Sequence, residues 1–329
     1  MSVVVPVYNS ERSLPILTER LYEVFRKENQ PFEIIFVDDD SSDDSWGVVT
    51  ALARDYDNVR GIKLLRNFGQ HNALLCGIRA VRYDVIVTMD DDLQNPPDEV
   101  PRLLAALQEG VDVVYGTPIE GAHGLLRQLA SEATKIALSS AMGAETARKV
   151  SAFRVFRRSI TGAFSGYRSP WVSLDVLLTW GTRRFTSIPV RNDPRTIGKS
   201  NYTVGRLIAH ALNMITGFSV LPLQFASVVG FFFTLFGIGV LCFVVGRYLI
   251  QGVAVPGFAF LASIIAIFGG AQLFALGVIG EYLARIHFRS MDRPPYAVRE
   301  FAGATPDAFA NEDALVTHGV FVERGAGER

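Results

Sequence analysis

Short β-branched runs alternate with amphipathic stretches through the first half of the chain. Residues 3–7 and 33–37 are almost wholly apolar and predict strands, while residues 13–28 between them repeat apolar positions every three to four residues, the period of a helix. The same reading gives a helix over 45–54, a strand over 59–64, a helix over 72–81 and a strand over 84–89. A helix over 101–108 then leads to a strand over 112–116, and a further strand is expected over 185–190. Strands alternating with helices predict an α/β domain with a mostly parallel central sheet, and such sheets hold ligands at the carboxyl ends of their strands.

The pattern changes in the second half. Residues 225–245 and 257–280 contain no charged side chain, and each is long enough to cross a bilayer hydrocarbon core of about 30 Å. Two buried core helices are the alternative. Soluble helices seldom stay apolar on every face, however, and the first run includes Phe231-Phe232-Phe233. Arg206 precedes the first run and Arg285, His287, Arg289 and Arg293 follow the second, whereas the link over 246–256 carries only Arg247. That bias predicts a hairpin in the cytoplasmic membrane with the N-terminal half and both ends on the cytoplasmic side; no signal-type segment opens the chain. Residues 205–218, with Arg206 and His210 among apolar positions, suit an interfacial helix.

The expected organisation is therefore a domain over 1–204, an interfacial helix over 205–220, two spans within 221–282 (about 225–246 and 257–280), a juxtamembrane segment over 283–300, and a disordered tail over 301–329 rich in Gly, Ala and acidic residues. Within the first part, residues 125–142 look helical and present Arg127 and Ser131 one turn apart. Arg154, Arg157 and Arg158 read as a basic patch, and the Gly198-containing loop over 195–202 as mobile.

Composition narrows the chemistry. A chain that is 49% hydrophobic and 20% charged is not a disordered one, and a net charge of -1 gives no basic footprint for nucleic acid. Cys76 and Cys242 form neither a disulfide framework nor a metal-ligand spacing. The strongest local signal is Asp90-Asp91-Asp92-Leu-Gln94-Asn-Pro-Pro97 at the end of an apolar strand. Strand alternation would point Asp90 and Asp92 the same way, towards one Mg²⁺ or Mn²⁺ ion, with Gln94 adding a carbonyl oxygen. Two unit charges 4 Å apart repel by roughly 4 kcal/mol at an effective dielectric of 20, so such a cluster calls for a cation or shifted protonation. A solvated acidic turn is the plainer alternative for an isolated Asp-x-Asp. A second cluster, Asp38-Asp39-Asp40-Ser-Ser42-Asp43, can cap the following helix and leave an Asp to accept hydrogen bonds from a nucleobase or ribose.

Val5-Pro-Val-Tyr-Asn9, Val37-Asp-Asp-Asp-Ser-Ser-Asp43, Arg66-Asn-Phe-Gly-Gln-His71, Asp90-Asp-Asp-Leu-Gln-Asn-Pro-Pro97 and Gly198-Lys-Ser-Asn-Tyr202, in this order, resemble the family 2 glycosyltransferases. Within that family the chain is similar to the polyisoprenyl-phosphate glycosyltransferases, related to dolichyl-phosphate mannose synthase and bacterial undecaprenyl-phosphate sugar transferases. The likeness extends to the spans and to Arg293-Pro-Pro-Tyr296. It implies a GT-A type nucleotide-sugar-binding domain followed by a membrane hairpin. The implied reaction is inverting, metal-dependent transfer of one sugar from a nucleotide-sugar to a polyisoprenyl phosphate, undecaprenyl phosphate in bacteria. Pro6, Tyr8, Asn9, Asp39, Arg66, Gly69 and Asp91 would surround the nucleotide. Asp90, Asp92 and Gln94 would hold the metal on the diphosphate. Arg127, Ser131, Arg195 and Lys199 would hold the acceptor phosphate, and Asp90, Asp92, Arg127, Ser131 and Arg195 would form the catalytic set.

Three positions depart from the family pattern. Asp40 stands where Asp-Asp-Gly-Ser has glycine, so a non-glycine residue must make the turn; Ser151-Ala152 replaces a Gly-Asp pair; and Asn201 occupies the place of a loop lysine. A processive polysaccharide synthase and a non-catalytic nucleotide-sugar-binding membrane protein are the competing functions, and homo-oligomerisation through the spans stays open.

Overall fold

The computed structural model describes residues 1–119, 150–194, 221–251, 257–291 and 293–304. The expected helix over 125–142, the loop over 195–202, the interfacial helix over 205–218 and the tail from 305 onwards lie outside the described residues. Eight strands form one sheet: β1 (Ser2–Val7), β2 (Glu33–Asp38), β3 (Val59–Leu64), β4 (Val85–Thr88), β5 (Val113–Pro118), β6 (Arg154–Arg157), β7 (Phe185–Val190) and β8 (Val298–Ala302). Helices α1 (Leu14–Glu28), α2 (Ser45–Asp55), α3 (Gln70–Arg79), α4 (Val100–Ala106) and α5 (Leu174–Gly181) accompany it, followed by α6 (Leu221–Gln251) and α7 (Phe258–Ser290).

The strands lie in the order β7-β5-β6-β4-β1-β2-β3-β8. β1 pairs in parallel with β2 and β4, β2 with β3, and β5 with β7; β6 and β8 run antiparallel to their neighbours. Every residue of β1 and β2 is buried, as expected of central strands covered on both faces. Alternation along β1 separates two cores. Val3, Val5 and Val7 join Leu14, Leu17, Leu21 and Phe25 of α1, while Val4 joins Ile35, Val37 and the buried face of α3.

Two elements replace the expected basic patch. Arg154 and Arg157 belong to β6, inserted antiparallel between β4 and β5, and Arg158 opens a 3-10 turn. Alternation sends the arginines to different places. Arg154 is buried and pairs with Asp175 on α5, while Arg157 donates to the carbonyls of Leu107, Val111 and Gln108, and Arg158 to that of Arg82. A four-residue strand with two arginines carries too little apolar periodicity to be read as one. The strand β8 likewise crosses the boundary expected at residue 300.

Helices α6 and α7, with 31 and 33 residues, measure about 46 and 50 Å at 1.5 Å per residue, ample for a bilayer. Arg247, expected in the link, lies on α6. None of either apolar window is buried against the rest of the protein, which is not the behaviour of a soluble core helix. The two helices meet through rings: Phe233 and Phe236 pack on Phe268 at centroid distances of 5.5 and 6.4 Å, beside Gly237. After α7 the chain returns to the sheet, where β8 pairs with β3 from Gly61↔Ala302 to Leu64↔Val298.

Close packing of α3 on the central strands depends on Gly77, because a Cβ there would run into Val4 Cγ1 and approach Val37 Cγ2 at 3.0 Å. Gly77→Ala is expected to destabilise the domain by about 1–3 kcal/mol through overpacking, read as a lowered thermal midpoint of the detergent-solubilised protein. An unchanged midpoint would show that the helix can slide outward freely.

Candidate functional site

Strand order reverses direction beside β1: β2 and β3 lie on one side of it, β4 on the other. The carboxyl ends of β1 and β4 therefore open a crevice of the kind that receives ligands in α/β sheets. Polar side chains tie the strand ends together around it. Beyond β1, the Tyr8 N–H donates to Asp91 Oδ2 (3.1 Å) past the end of β4. The Asn9 N–H donates to Ser41 Oγ (3.0 Å), and Asn9 Oδ1 accepts from the N–H (2.7 Å) and hydroxyl (3.0 Å) of Ser42, beyond β2. Asp39 Oδ1 and Oδ2 accept from the N–H groups of Phe68 and Gly69, both at 2.7 Å, so the end of β2 grips the loop between β3 and α3.

Backbone strain accompanies these ties. Asn9, Asp40 and Leu93 adopt left-handed φ angles of 57°, 60° and 62°. Asp40 thus makes the turn for which the family pattern has glycine, within the tolerance of Asp and Asn for this region. Leu93 has no such tolerance, and its strain sits directly after the Asp90–Asp92 triplet, where unusual backbone geometry often marks function. Gly69, at φ 96°, lets the loop turn into α3.

Burial pushes the Asp39 carboxyl up to about 6 against the pull of its two amide donors. Burial likewise raises Asp91 to about 6, opposed by hydrogen bonds from Ser10 and Tyr8. Asp38, fully buried, is also shifted up by burial. These three carboxylates are structural ties. Asp39 and Asp91, expected against the nucleotide, spend hydrogen-bonding capacity on backbone groups, although each oxygen keeps a second lone pair for a ligand.

The Asp90–Asp92 triplet lies beyond β4, which ends at Thr88, so strand alternation does not govern where its side chains point. Asp91 turns to the β1 loop, Asp90 Oδ1 accepts from Gln70 Nε2 of α3 (2.6 Å), and Asp92 Oδ1 accepts from the N–H of Gln94 (3.1 Å). Among the described residues no group of three or more His, Cys, Asp or Glu is gathered for a metal ion. Asp90, Asp92 and the Gln94 amide are too few oxygen donors for an all-protein cage. Their oxygens are of the kind a hard divalent cation takes alongside substrate phosphates and water. The structure sends Asp90 to Gln70 and Asp92 to its own turn, however, so the expected shared direction of the two carboxylates is not seen. Pro6 lies within β1 opposite Val37, Tyr8 is exposed at the crevice, and the Arg66 guanidinium sits 4.5 Å from the Phe68 ring centroid. Arg127, Ser131, Arg195 and Lys199 lie outside the described residues.

Sequence reasoning missed what supports the triplet from below. Arg154 pairs with Asp175 Oδ1, which also accepts the Tyr115 hydroxyl (3.1 Å), and Arg154 Nε donates to Thr88 Oγ1 (3.0 Å), two residues before Asp90. It also missed Arg299 of β8, whose guanidinium lies 3.9 Å from Asp40 and donates to the Leu65 carbonyl at 3.2 Å. No local sequence signal marks either. Gln70, by contrast, stands inside the Arg66–His71 motif and could have been singled out.

Comparison with known proteins gives the following. Residues 2–163 match the family model "Glycosyl transferase family 2". The chain is 36% identical over 307 residues, 92% of its length and 94% of theirs, to undecaprenyl-phosphate 4-deoxy-4-formamido-L-arabinose transferases of Yersinia enterocolitica and Yersinia pestis. Among solved structures it is similar to glucosyl-3-phosphoglycerate synthase from Mycobacterium tuberculosis, at 19% identity and TM-score 0.49, over 65% of this chain and 76% of that one. Mannosyl-3-phosphoglycerate synthase from Rubrobacter xylanophilus gives 18% identity and TM-score 0.44, over 64% and 72%.

The state of Asp39 generates a pH prediction. Its folded pKa of about 6 lies above the unfolded value of 3.8, so the folded protein holds a proton the unfolded chain has released, and stability falls as pH rises through that interval. Asp39→Asn leaves one loop N–H facing an amide NH₂ and should cost about 1–3 kcal/mol. The wild type should also lose more thermal stability between pH 4 and pH 7 than the variant does, and parallel pH profiles would refute the assignment.

Proposed function

The chain belongs to glycosyl transferase family 2, with full-length relatives at 36% identity, and from that premise we propose that this glycosyltransferase moves one sugar from a nucleotide-sugar to a polyisoprenyl phosphate. Undecaprenyl phosphate, named for the relatives, is the acceptor favoured here. The observation that carries the proposal is the return of the chain from the second apolar helix into the sheet that bears the crevice. Because β8 pairs with β3, the domain and the end of α7 must lie on one side of any membrane the helices cross, so the crossings are even in number. Two crossings keep the crevice beside the bilayer, where an isoprenoid acceptor presents its phosphate. The arginine-rich flanks support reading that side as the cytoplasmic one.

The chemistry follows from the groups present. An acceptor phosphate oxygen attacks the anomeric carbon as the bond to the nucleotide diphosphate breaks, which inverts the configuration. A phosphate is already anionic near neutral pH, so no strong base is needed, and the absence of a carboxylate at Ser151-Ala152 is no obstacle. Pro6, Tyr8, Asn9, Asp39, Arg66, Gly69 and Asp91 frame the nucleotide. Asp90, Asp92 and Gln94 would hold Mg²⁺ or Mn²⁺, which when bound would supply positive charge against the leaving diphosphate. Arg127, Ser131, Arg195 and Lys199 are assigned to the phosphates of acceptor and donor, since Arg binds such oxygens in a bidentate fork. The protein's own contribution is alignment: Asp39 fixes the Arg66–Gly69 loop, and Gln70 fixes Asp90.

The test is transfer to undecaprenyl phosphate by purified full-length protein from a panel of nucleotide-sugars that includes a 4-deoxy-4-formamido-L-arabinose donor. Product should require Mg²⁺ or Mn²⁺, carry the inverted anomeric configuration, and fall by about 10²-fold or more in Asp92→Ala. Turnover that survives chelation and the substitution, or a retained configuration, would defeat the mechanism.

A further inference from the structure

Away from the crevice, exposed large apolar side chains are few among the described residues of the sheet domain: Ile16, Ile119, Trp171 and Trp180. Tyr167 links the two tryptophan residues: its hydroxyl donates to the Trp171 carbonyl and its ring meets the Trp180 ring edge-on at 5.6 Å. Beside Trp180 lies a cavity of about 330 Å³ whose lining includes Phe164, Tyr167, Arg168, Ser169 and Trp180.

A cationic side chain accompanies the aromatic ones. Arg168 lines the cavity together with Ser169, and among the described residues no acidic one lies in that lining. Position adds a third argument. Asn72 Nδ2 donates both to the Pro170 carbonyl (3.0 Å) and to the Pro295 carbonyl, so the residue before Trp171 is tied to the chain returning from α7. Pro295 is five residues beyond Ser290, the last residue of α7, a reach of at most about 18 Å. Two indoles and an arginine on the loop and helix tied to the segment that follows a spanning helix have the chemistry of the membrane–water interface.

We infer that the Trp171–Trp180 face is a second contact of the protein with the bilayer, with an anionic phospholipid headgroup seated in the cavity against Arg168 and Ser169. This rests on the reading of α6 and α7 as membrane spans. The contact holds the sheet domain in a fixed tilt, with the crevice facing the layer in which the acceptor phosphate lies. Asn72 is the joint: one side chain fixes both the indole-bearing loop and the segment that leaves the membrane.

The protein contains three tryptophans, Trp46, Trp171 and Trp180, and none lies in α6 or α7, so indole emission reports on the sheet domain alone. Full-length protein would be reconstituted in nanodiscs of phosphatidylcholine brominated near the top of the acyl chains, with or without phosphatidylglycerol. Emission should fall relative to unbrominated discs, fall further with phosphatidylglycerol, and lose all dependence on bromine in the Trp171→Phe/Trp180→Phe variant. Arg168→Gln should abolish the phosphatidylglycerol increment while leaving transferase turnover in detergent unchanged. Indoles unquenched in protein that co-elutes with the discs would overturn the contact and leave the spans standing, whereas protein that fails to enter discs would overturn both. Quenching indifferent to phosphatidylglycerol and to Arg168→Gln would overturn the headgroup assignment.

Discussion

Carboxylates at the strand ends, removed from water and satisfied by backbone N–H groups, are the constraint on which the rest of the site depends. Asp91 joins the ends of β4 and β1, and Asp39 joins the end of β2 to the loop entering α3, while Asn9 closes the gap between β1 and β2. Such groups are costly to bury, which is why burial raises Asp39 and Asp91 to about 6. That cost is offset only while their partners stay in place, so four strand ends and the left-handed turns at Asn9, Asp40 and Leu93 are determined together. A crevice built this way holds its shape before a ligand arrives, and this is what alignment of two phosphate-bearing reactants requires.

A second layer of buried charge supports the first. Arg154, Asp175, Tyr115 and Thr88 form a continuous hydrogen-bonded set beneath the Asp90–Asp92 turn, and at the opposite end of the sheet Arg60 pairs with Glu33 and donates to the Ala80 carbonyl. Pairs of this kind add little net stability, yet removing one partner strands the other and costs about 3–5 kcal/mol. Their effect is to specify arrangement. Arg154 fixes β6 antiparallel between β4 and β5, and so fixes α5 and the Trp171 loop that precedes it.

Membrane and site are joined by the same economy of contacts. The segment after α7 is held three times: Asn72 takes the Pro295 carbonyl, Tyr296 is buried against Arg79, and β8 extends the sheet beside β3. Arg299 of that strand reaches the Asp38–Asp40 turn. The hairpin of α6 and α7 is thus bracketed by the domain on both sides in sequence, and the apolar faces it leaves open are suited to hydrocarbon, where no water is available to satisfy anything but a closed helix.

Much of this was determined by the sequence alone. Continuous apolar runs placed β1 and β2, and the period of 3.6 placed α1 and α2, to within a residue or two, because the central strands are buried on both faces and the helices on one. The acidic clusters, the crevice and the two long apolar helices were legible for the same local reasons. The tertiary structure decided what depends on partners distant in sequence. Three adjacent aspartates diverge to α3, to β1 and to their own turn; Arg154 is a core residue and not part of a patch; and a strand from the end of the chain pairs 234 residues back, where Arg299 meets Leu65. Periodicity records which face of an element is buried, but a buried charge has no period. Its place is fixed by the one partner that compensates it, and that partner is found only when the chain is folded.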